Sequence, residues 1–291
     1  DLLKLGLLGK VLPIHAVRIR RHGSHMTKVT VQDILARKQK EHKKITALTA
    51  YDFPLARLVD EAGIDIVLVG DSLGMVLLGY ESTVSVTMAE MLHHLKAVRR
   101  AVRRALLVVD MPFQSYETVA LALRNAQVFS KEGGAEAVKL EGGSRILEQV
   151  RALVRAGVPV MGHLGMTPQS VSELGGYKVQ GRTRESADQI FKDALALEKA
   201  GAFSLVLECV PRSLARRVTE ALSIPAIGIG AGARVDGQVL VLYDLLGLES
   251  SVRPRFVRRY AHLTQAIERA LGQYRDEVIG GTFPSLEESF E

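Results

Sequence analysis

The stretch IDIVLVGDSLG, residues 64–74, runs apolar from Ile66 to Val69 and then sets Asp71 directly after a glycine. Four later stretches behave alike. LLVVDMP (106–112) ends its apolar run on Asp110, AVKLEGG (137–143) on Lys139 and Glu141, VPVMGHLG (158–165) on His163, and SLVLECV (204–210) on Glu208. Runs of strand length that finish on an ionisable group, five times over, need a shared cause.

The wider pattern supplies one. Apolar runs at 45–50, 66–70, 106–110, 137–141, 158–163, 204–208, 225–230 and 238–243 give eight candidate strands. They are continuous rather than alternating, as parallel strands covered on both faces require. Segments of period 3.6 lie between them. Thr87 and Glu90 form a capping box ahead of MLHHLKAVRRAV, Ser115 and Ser144 are candidate N-caps, and glycines near 133 and 157 are stop signals. Only a short glycine-rich segment separates the seventh and eighth strands, and a C-terminal helix is expected in RPRFVRRYAHLTQAIERAL. Eight alternating β and α units predict a single-domain (β/α)8 TIM barrel, with a doubly wound open sheet as the other arrangement.

In such a barrel the active site forms at the carboxyl ends of the strands. Asp71, Asp110, Lys139, Glu141, His163 and Glu208 would converge there. Convergent carboxylates repel unless a positive charge lies between them, and a hard cation such as Mg²⁺, held by Asp71 and Asp110, meets that need. Each residue has a plainer reading, as a helix cap, an ion-pair partner or a buried histidine. Their recurrence at successive strand ends favours a shared site. The polar stretch 165–183, GMTPQSVSELGGYKVQGRT, reads as a mobile loop over the mouth. IGIGAGARVDG (227–237) suggests either a phosphate loop or close packing at the rim.

Bulk properties narrow the class. The 291 residues are 47% hydrophobic and 24% charged, enough for a large core. Much of the +6 net charge comes from Lys4, Lys10, Arg18, Arg20 and Arg21. No basic stripe points to nucleic acid, and no apolar run approaches a membrane span. Residues 23–26 are a Gly-Ser-His-Met sequence of the kind left by expression vectors, so 1–25 are expected to be a leader and the working chain 26–291; a targeting peptide is the rival reading. A single cysteine, Cys209, leaves no internal disulfide and suits a reducing cytoplasm; it reads as a small buried residue rather than a nucleophile.

Longer motifs carry a resemblance. VGDSLGMVLLGYESTVSVT, DMPFQSY, AVKLEGG, PVMGHLGMTPQSV, LVLECVP, IPAIGIGAG and DGQVLV, continuing to FPSLEESF, closely resemble the ketopantoate hydroxymethyltransferase family from about residue 27 onward. The resemblance implies a (β/α)8 barrel of the phosphoenolpyruvate/pyruvate superfamily. It implies hydroxymethyl transfer from 5,10-methylenetetrahydrofolate to 3-methyl-2-oxobutanoate, giving 2-dehydropantoate through an enolate stabilised by Mg²⁺. By motif, Asp71 and Asp110 are similar to metal ligands that also meet substrate, and Glu141 to the acidic residue beside the metal, acting through bound water. Ser72 and Lys139 are similar to contacts for the substrate carboxylate, Glu208 to the general base, and His163 to a residue lining the site. Members are commonly decameric, so a cytoplasmic homo-oligomer acting on small molecules is implied, with no nucleic acid or membrane partner. Gln114 and Tyr243 depart from the family pattern at the pocket edge. A carbon–carbon lyase of the same superfamily and a non-catalytic barrel are the competing readings.

Overall fold

The computed structural model describes residues 27–171, 175–176, 178–248 and 254–291. The expectation for the leader at 1–25 lies outside them. Eight strands are present: β1 Ile45–Thr49, β2 Ile66–Val69, β3 Leu106–Asp110, β4 Ala137–Glu141, β5 Val160–Gly165, β6 Ser204–Glu208, β7 Ala226–Ile229 and β8 Gly237–Leu240. All pair in parallel in chain order, and β8 returns to β1, closing the barrel. The open-sheet alternative is thereby excluded.

The helices are α1 Val31–Ala36, α2 Phe53–Glu61, α3 Leu73–Val76, α4 Met88–Ala101, α5 Val119–Lys131, α6 Leu147–Arg155, α7 Arg184–Lys199, α8 Arg212–Ala221, α9 Leu242–Leu246 and α10 Leu263–Gly280. The capping box of α4 forms as read, with Thr87 accepting from the Glu90 N–H and Glu90 from the Thr87 N–H. The other two caps do not. Thr118 caps α5, because the chain first turns through Gln114 at φ 62° and buries Ser115. Ser144 opens a short 3₁₀ turn ahead of α6 rather than α6 itself. The C-terminal helix begins at Leu263, later than expected, since Tyr260 first donates its backbone N–H to the Leu245 carbonyl in α9.

Two apolar layers hold the barrel. Outward residues such as Val67, Val69, Leu107, Val109, Val138, Leu140, Leu205 and Leu207 pack against the helices. Inward residues Ile45, Ala47, Ile66, Leu68, Leu106, Val108, Ala137, Met161, Val206 and Ile227 fill the interior, with Val29 and Ile34 closing its amino end. Side chains alternate along a strand, so the inward phase of β3 continues from Leu106 and Val108 to Asp110. In β4 it runs from Ala137 to Lys139 and Glu141, in β5 from Met161 to His163, and in β6 from Val206 to Glu208. The apolar phase and the ionisable phase are one phase, read from the floor to the mouth. That is the common cause of four of the five polar run-ends; in β2 the inward phase of Ile66 and Leu68 stops at Gly70, and Asp71 comes from the turn beyond it.

The β1–β8 seam is thinner. No helix separates β7 from β8, and Thr46 and Gln238 remain exposed. Strand β8 also ends sooner than its apolar run, because Thr49 in β1 accepts the Leu242 N–H at 3.0 Å and starts α9 there. Thr49 is 3% exposed, so no water replaces that acceptor readily. Thr49→Val keeps the shape and deletes the oxygen. It is expected to cost about 1–3 kcal/mol, measurable as a lowered urea midpoint with an unchanged slope.

Candidate active site

Register assembles the site. Asp110 and Lys139 are Cα partners across β3–β4, and Glu141 and His163 are partners across β4–β5. Neighbouring inward side chains therefore meet. Lys139 Nζ lies 3.0 Å from Asp110 Oδ1. His163 Nδ1 lies 3.2 Å from Glu141 Oε1, and its Nε2 lies 3.2 Å from Glu208 Oε2. Asp71 follows β2 by one glycine, and its backbone N–H donates to Asp110 Oδ2 at 3.1 Å. A Cβ on Gly70 would stand 2.9 Å from Ser72 Oγ and 3.4 Å from Asp110 Oδ2, so the bare backbone there makes room for both. Ser72 is fixed from below by the fully buried Tyr51, whose hydroxyl is 2.8 Å from Ser72 Oγ. All seven residues singled out in the sequence thus occupy the carboxyl end of the barrel.

Asp71, Asp110, Lys139, Glu141 and His163 are buried, while the Glu208 side chain keeps 13% exposure and faces the opening. Burial, then Asp110 and Glu141, raises the Asp71 pKa well above the ordinary carboxylate value. Burial also raises Asp110, partly offset by Lys139. Burial opposes ionisation of Glu141 as well, but His163, Lys139 and the Gln169 N–H outweigh it and its pKa is lowered. Burial would discharge Lys139, yet Asp110, Glu141 and Asp71 hold it ionised above its usual range. For His163, burial and Lys139 both disfavour the charge, but the carboxylates of Glu141 and Glu208 beside its two ring nitrogens raise its pKa to about 9. Lys139 Nζ is also 3.2 Å from Nδ1, a contact that favours the neutral ring. A carboxylate near each ring nitrogen outweighs that single cation and moves the pKa of the ring upward.

Four carboxylates face Lys139 and His163, and burial together with the neighbouring Asp110 and Glu141 disfavours the ionised form of Asp71. A hard divalent cation would relieve the same imbalance. Beyond their ion-pair contacts with Lys139 and His163, Asp110 Oδ1 and Glu141 Oε1 are buried without a hydrogen-bond partner among the described residues. Among those residues no three His, Cys, Asp or Glu side chains form a closed ligand cage. The oxygen-rich, sparse donor set is the kind Mg²⁺ takes, with positions left for water and substrate.

Sequence reading missed Gln169. Its side chain, 5% exposed, donates to Asp71 Oδ2 at 2.7 Å, and its backbone N–H donates to Glu141 Oε2 at 3.0 Å. The stretch 165–183 is thus no simple excursion from the surface. Met166 and Thr167 are buried with Gln169, while 172–174 and 177 lie outside the described residues. The 227–237 segment crosses the rim as β7, a turn and the start of β8, with Gly237 against the Ile45 carbonyl, which fits close packing. Cys209 is half-buried, with φ 48° and a thiol pKa pushed up to about 12 by burial and Glu208, so it is no nucleophile at neutral pH.

A closed parallel barrel with clustered carboxylates, a buried lysine and a bridging histidine at its strand ends defines a barrel enzyme equipped for acid–base chemistry beside a cation. A sequence profile described as ketopantoate hydroxymethyltransferase matches residues 28–286. The 3-methyl-2-oxobutanoate hydroxymethyltransferase of Moorella thermoacetica is 58% identical over 266 residues, covering 91% of this chain and 98% of that protein. That of Thermus thermophilus is 56% identical over 248 residues, covering 85% and 95%. The chain belongs to the ketopantoate hydroxymethyltransferase family.

Solved structures agree on the fold. 2,3-Dimethylmalate lyase, a PEP mutase/isocitrate lyase superfamily member, aligns with TM-score 0.57 at 16% identity, covering 90% of this chain and 89% of that one. Phosphonopyruvate hydrolase, solved in complex with oxalate and Mg²⁺, aligns with TM-score 0.58 at 13% identity, covering 89% and 93%.

The His163 bridge has a pH signature. A raised pKa stabilises the fold fully below the unfolded value near 6.5 and loses that contribution as pH rises through about 9. For metal-free protein, the difference in urea midpoint between wild type and His163→Gln is expected to be largest below pH 6.5 and to vanish above about pH 9. A pH-independent difference would contradict the bridge.

Proposed function

We propose that the chain transfers a hydroxymethyl group from 5,10-methylenetetrahydrofolate to 3-methyl-2-oxobutanoate, forming 2-dehydropantoate, the first step of pantothenate synthesis. The observation that carries the reading is the pairing of a rim carboxylate, Glu208, with a buried cluster of carboxylates and cations one strand away. Residues 26–291 would form the working barrel.

The roles follow from position. Glu208 is the base. It accepts the proton from the substrate carbon beside the keto group, and its Oε2 lies 3.2 Å from His163 Nε2. Lys139 meets the substrate carboxylate, aided by the Ser72 hydroxyl that Tyr51 orients. Asp71 and Asp110 would hold Mg²⁺, with Glu141 as the acidic residue beside it. When bound, the ion supplies positive charge where the enolate oxygen develops its negative charge. Water hydrolyses the two C–N bonds that hold the one-carbon unit, releasing tetrahydrofolate and a carbon at the formaldehyde level. The enolate carbon bonds to that carbon, whose oxygen takes up the proton held by Glu208 to become the hydroxyl. A lyase reading would need bond cleavage and has no observation of its own here.

Assembly and location belong to the same proposal. Helix α10 has no buried residue, and Leu271, Tyr274 and Ile279 are 63%, 57% and 78% exposed. Such an apolar helix face supports the homo-oligomer, a decamer, that the motif resemblance implies. No helix among the described residues is long and apolar enough to cross a membrane. A cytoplasmic enzyme of small molecules fits both points.

Two experiments decide the assignment. Asp71→Asn and Asp110→Asn are each expected to abolish Mg²⁺ binding in a calorimetric titration and to stop turnover; wild-type affinity in both would remove them from the metal site. Glu208→Gln is expected to retain Mg²⁺ and 3-methyl-2-oxobutanoate. It should slow exchange of the substrate C–H proton with deuterated water by about 10²–10⁴-fold, followed by NMR. Exchange at the wild-type rate would transfer the base role to another residue, His163 first.

A further inference from the structure

The residue between the two halves of the mouth is Gln169. It lies in the loop after β5, 98 residues beyond Asp71 and 28 beyond Glu141, yet reaches both. Its Nε2 donates to Asp71 Oδ2 at 2.7 Å and to the Met111 carbonyl at 2.9 Å. Its Oε1 accepts from the Tyr116 hydroxyl at 2.6 Å. That hydroxyl also lies 3.2 Å from the Glu141 carbonyl oxygen. The amide orientation is therefore determined: reversed, its oxygen would face a carboxylate and a carbonyl, and its NH₂ would face a donor.

The same loop is tied to the other half. Met166 donates its N–H to the Glu208 carbonyl at 2.9 Å, and Gln180 donates its N–H to the Cys209 carbonyl at 2.9 Å. Both ends of the stretch thus rest on the corner that carries the base, while Gln169 in its first turn rests on the carboxylates of β2 and β4. One neutral side chain neutralises nothing, but it fixes which oxygen of Asp71 is spent inside the protein and which remains for a cation.

We propose that Gln169 is a positioning residue that orients the Asp71 carboxylate for a divalent cation and docks the β5 loop onto the cation half of the mouth, with Tyr116 holding its amide in register. The inference rests on the reading of Asp71 as a cation ligand. Outer partners of metal-binding carboxylates typically change affinity by about 10–100-fold when removed. Gln169 also joins that orientation to the backbone at Glu208, which a simple outer partner would not do.

The test uses full-length protein and Mn²⁺ as the probe, with bound metal read by electron paramagnetic resonance without substrate. Gln169→Met keeps length and loses every side-chain hydrogen bond. It is expected to bind Mn²⁺ about 10–100-fold more weakly while circular dichroism stays native. Tyr116→Phe should weaken binding too, although Tyr116 touches no carboxylate. The double variant should be no worse than Gln169→Met, because Tyr116 acts through Gln169. Wild-type affinity in either folded single variant, or additive losses in the double, would overturn the proposal.

Should Gln169→Met not fold, Tyr116→Phe decides alone. Hydrogen–deuterium exchange of peptides covering 166–171, without metal, forms the second arm. Faster exchange in the variant supports docking by Gln169, and unchanged exchange overturns it. Wild-type protein that binds no Mn²⁺ would sink the cation reading itself and leave the docking claim to the exchange arm.

Discussion

Everything at the mouth depends on keeping four carboxylates close together away from water. Asp71, Asp110 and Glu141 are buried, and Glu208 nearly so. Each buried charge costs several kcal/mol in desolvation unless paired and hydrogen-bonded. Parallel register supplies the pairing, since it sets Asp110 beside Lys139 and Glu141 beside His163. A shift of β4 by one residue would turn Lys139 and Glu141 outward into the helix layer. The apolar layers of the barrel are what hold that register, so the packing of Leu106, Val108 and Ala137 on the floor and the chemistry above them are a single construction.

The site divides into two parts. Strands β2, β3 and β4 carry the carboxylates suited to a cation, and β6 carries the rim carboxylate. His163 stands between them, with one ring nitrogen on each side. His163 therefore serves both parts at once: it favours ionisation of Glu141, and it stands against Glu208 without filling the opening. The β5 loop repeats the connection through backbone and amide groups rather than charge.

Much of this was legible in the sequence, because the strong signals are local. Each strand is a short apolar run bounded by turn residues, and its terminal polar group belongs to the same run. The family motifs carried the same residues. What the sequence hid was non-local. Gln169 in MTPQS looks like any polar loop residue, and only the fold brings it to Asp71. The one available sign was Pro168 setting a tight turn immediately after a functional strand. The caps at Ser115 and Ser144 failed for a related reason. Both serines have the right chemistry, but the chain must clear the mouth before a helix can start. Strand β8 was overrun because an acceptor on β1, Thr49, decides where α9 begins.

One position at the join of β5 and β6 admits no gradation. A Cβ on Gly165 would lie 2.2 Å from the Glu208 carbonyl oxygen, and its φ is +97°. Every other amino acid brings that atom, so alanine and tryptophan meet the same first obstacle. Most sites in a protein offer a gentle slope of near-equivalent residues along which a lineage can drift. This one offers a cliff on all sides, and the cliff stands against the backbone of the residue read here as the base.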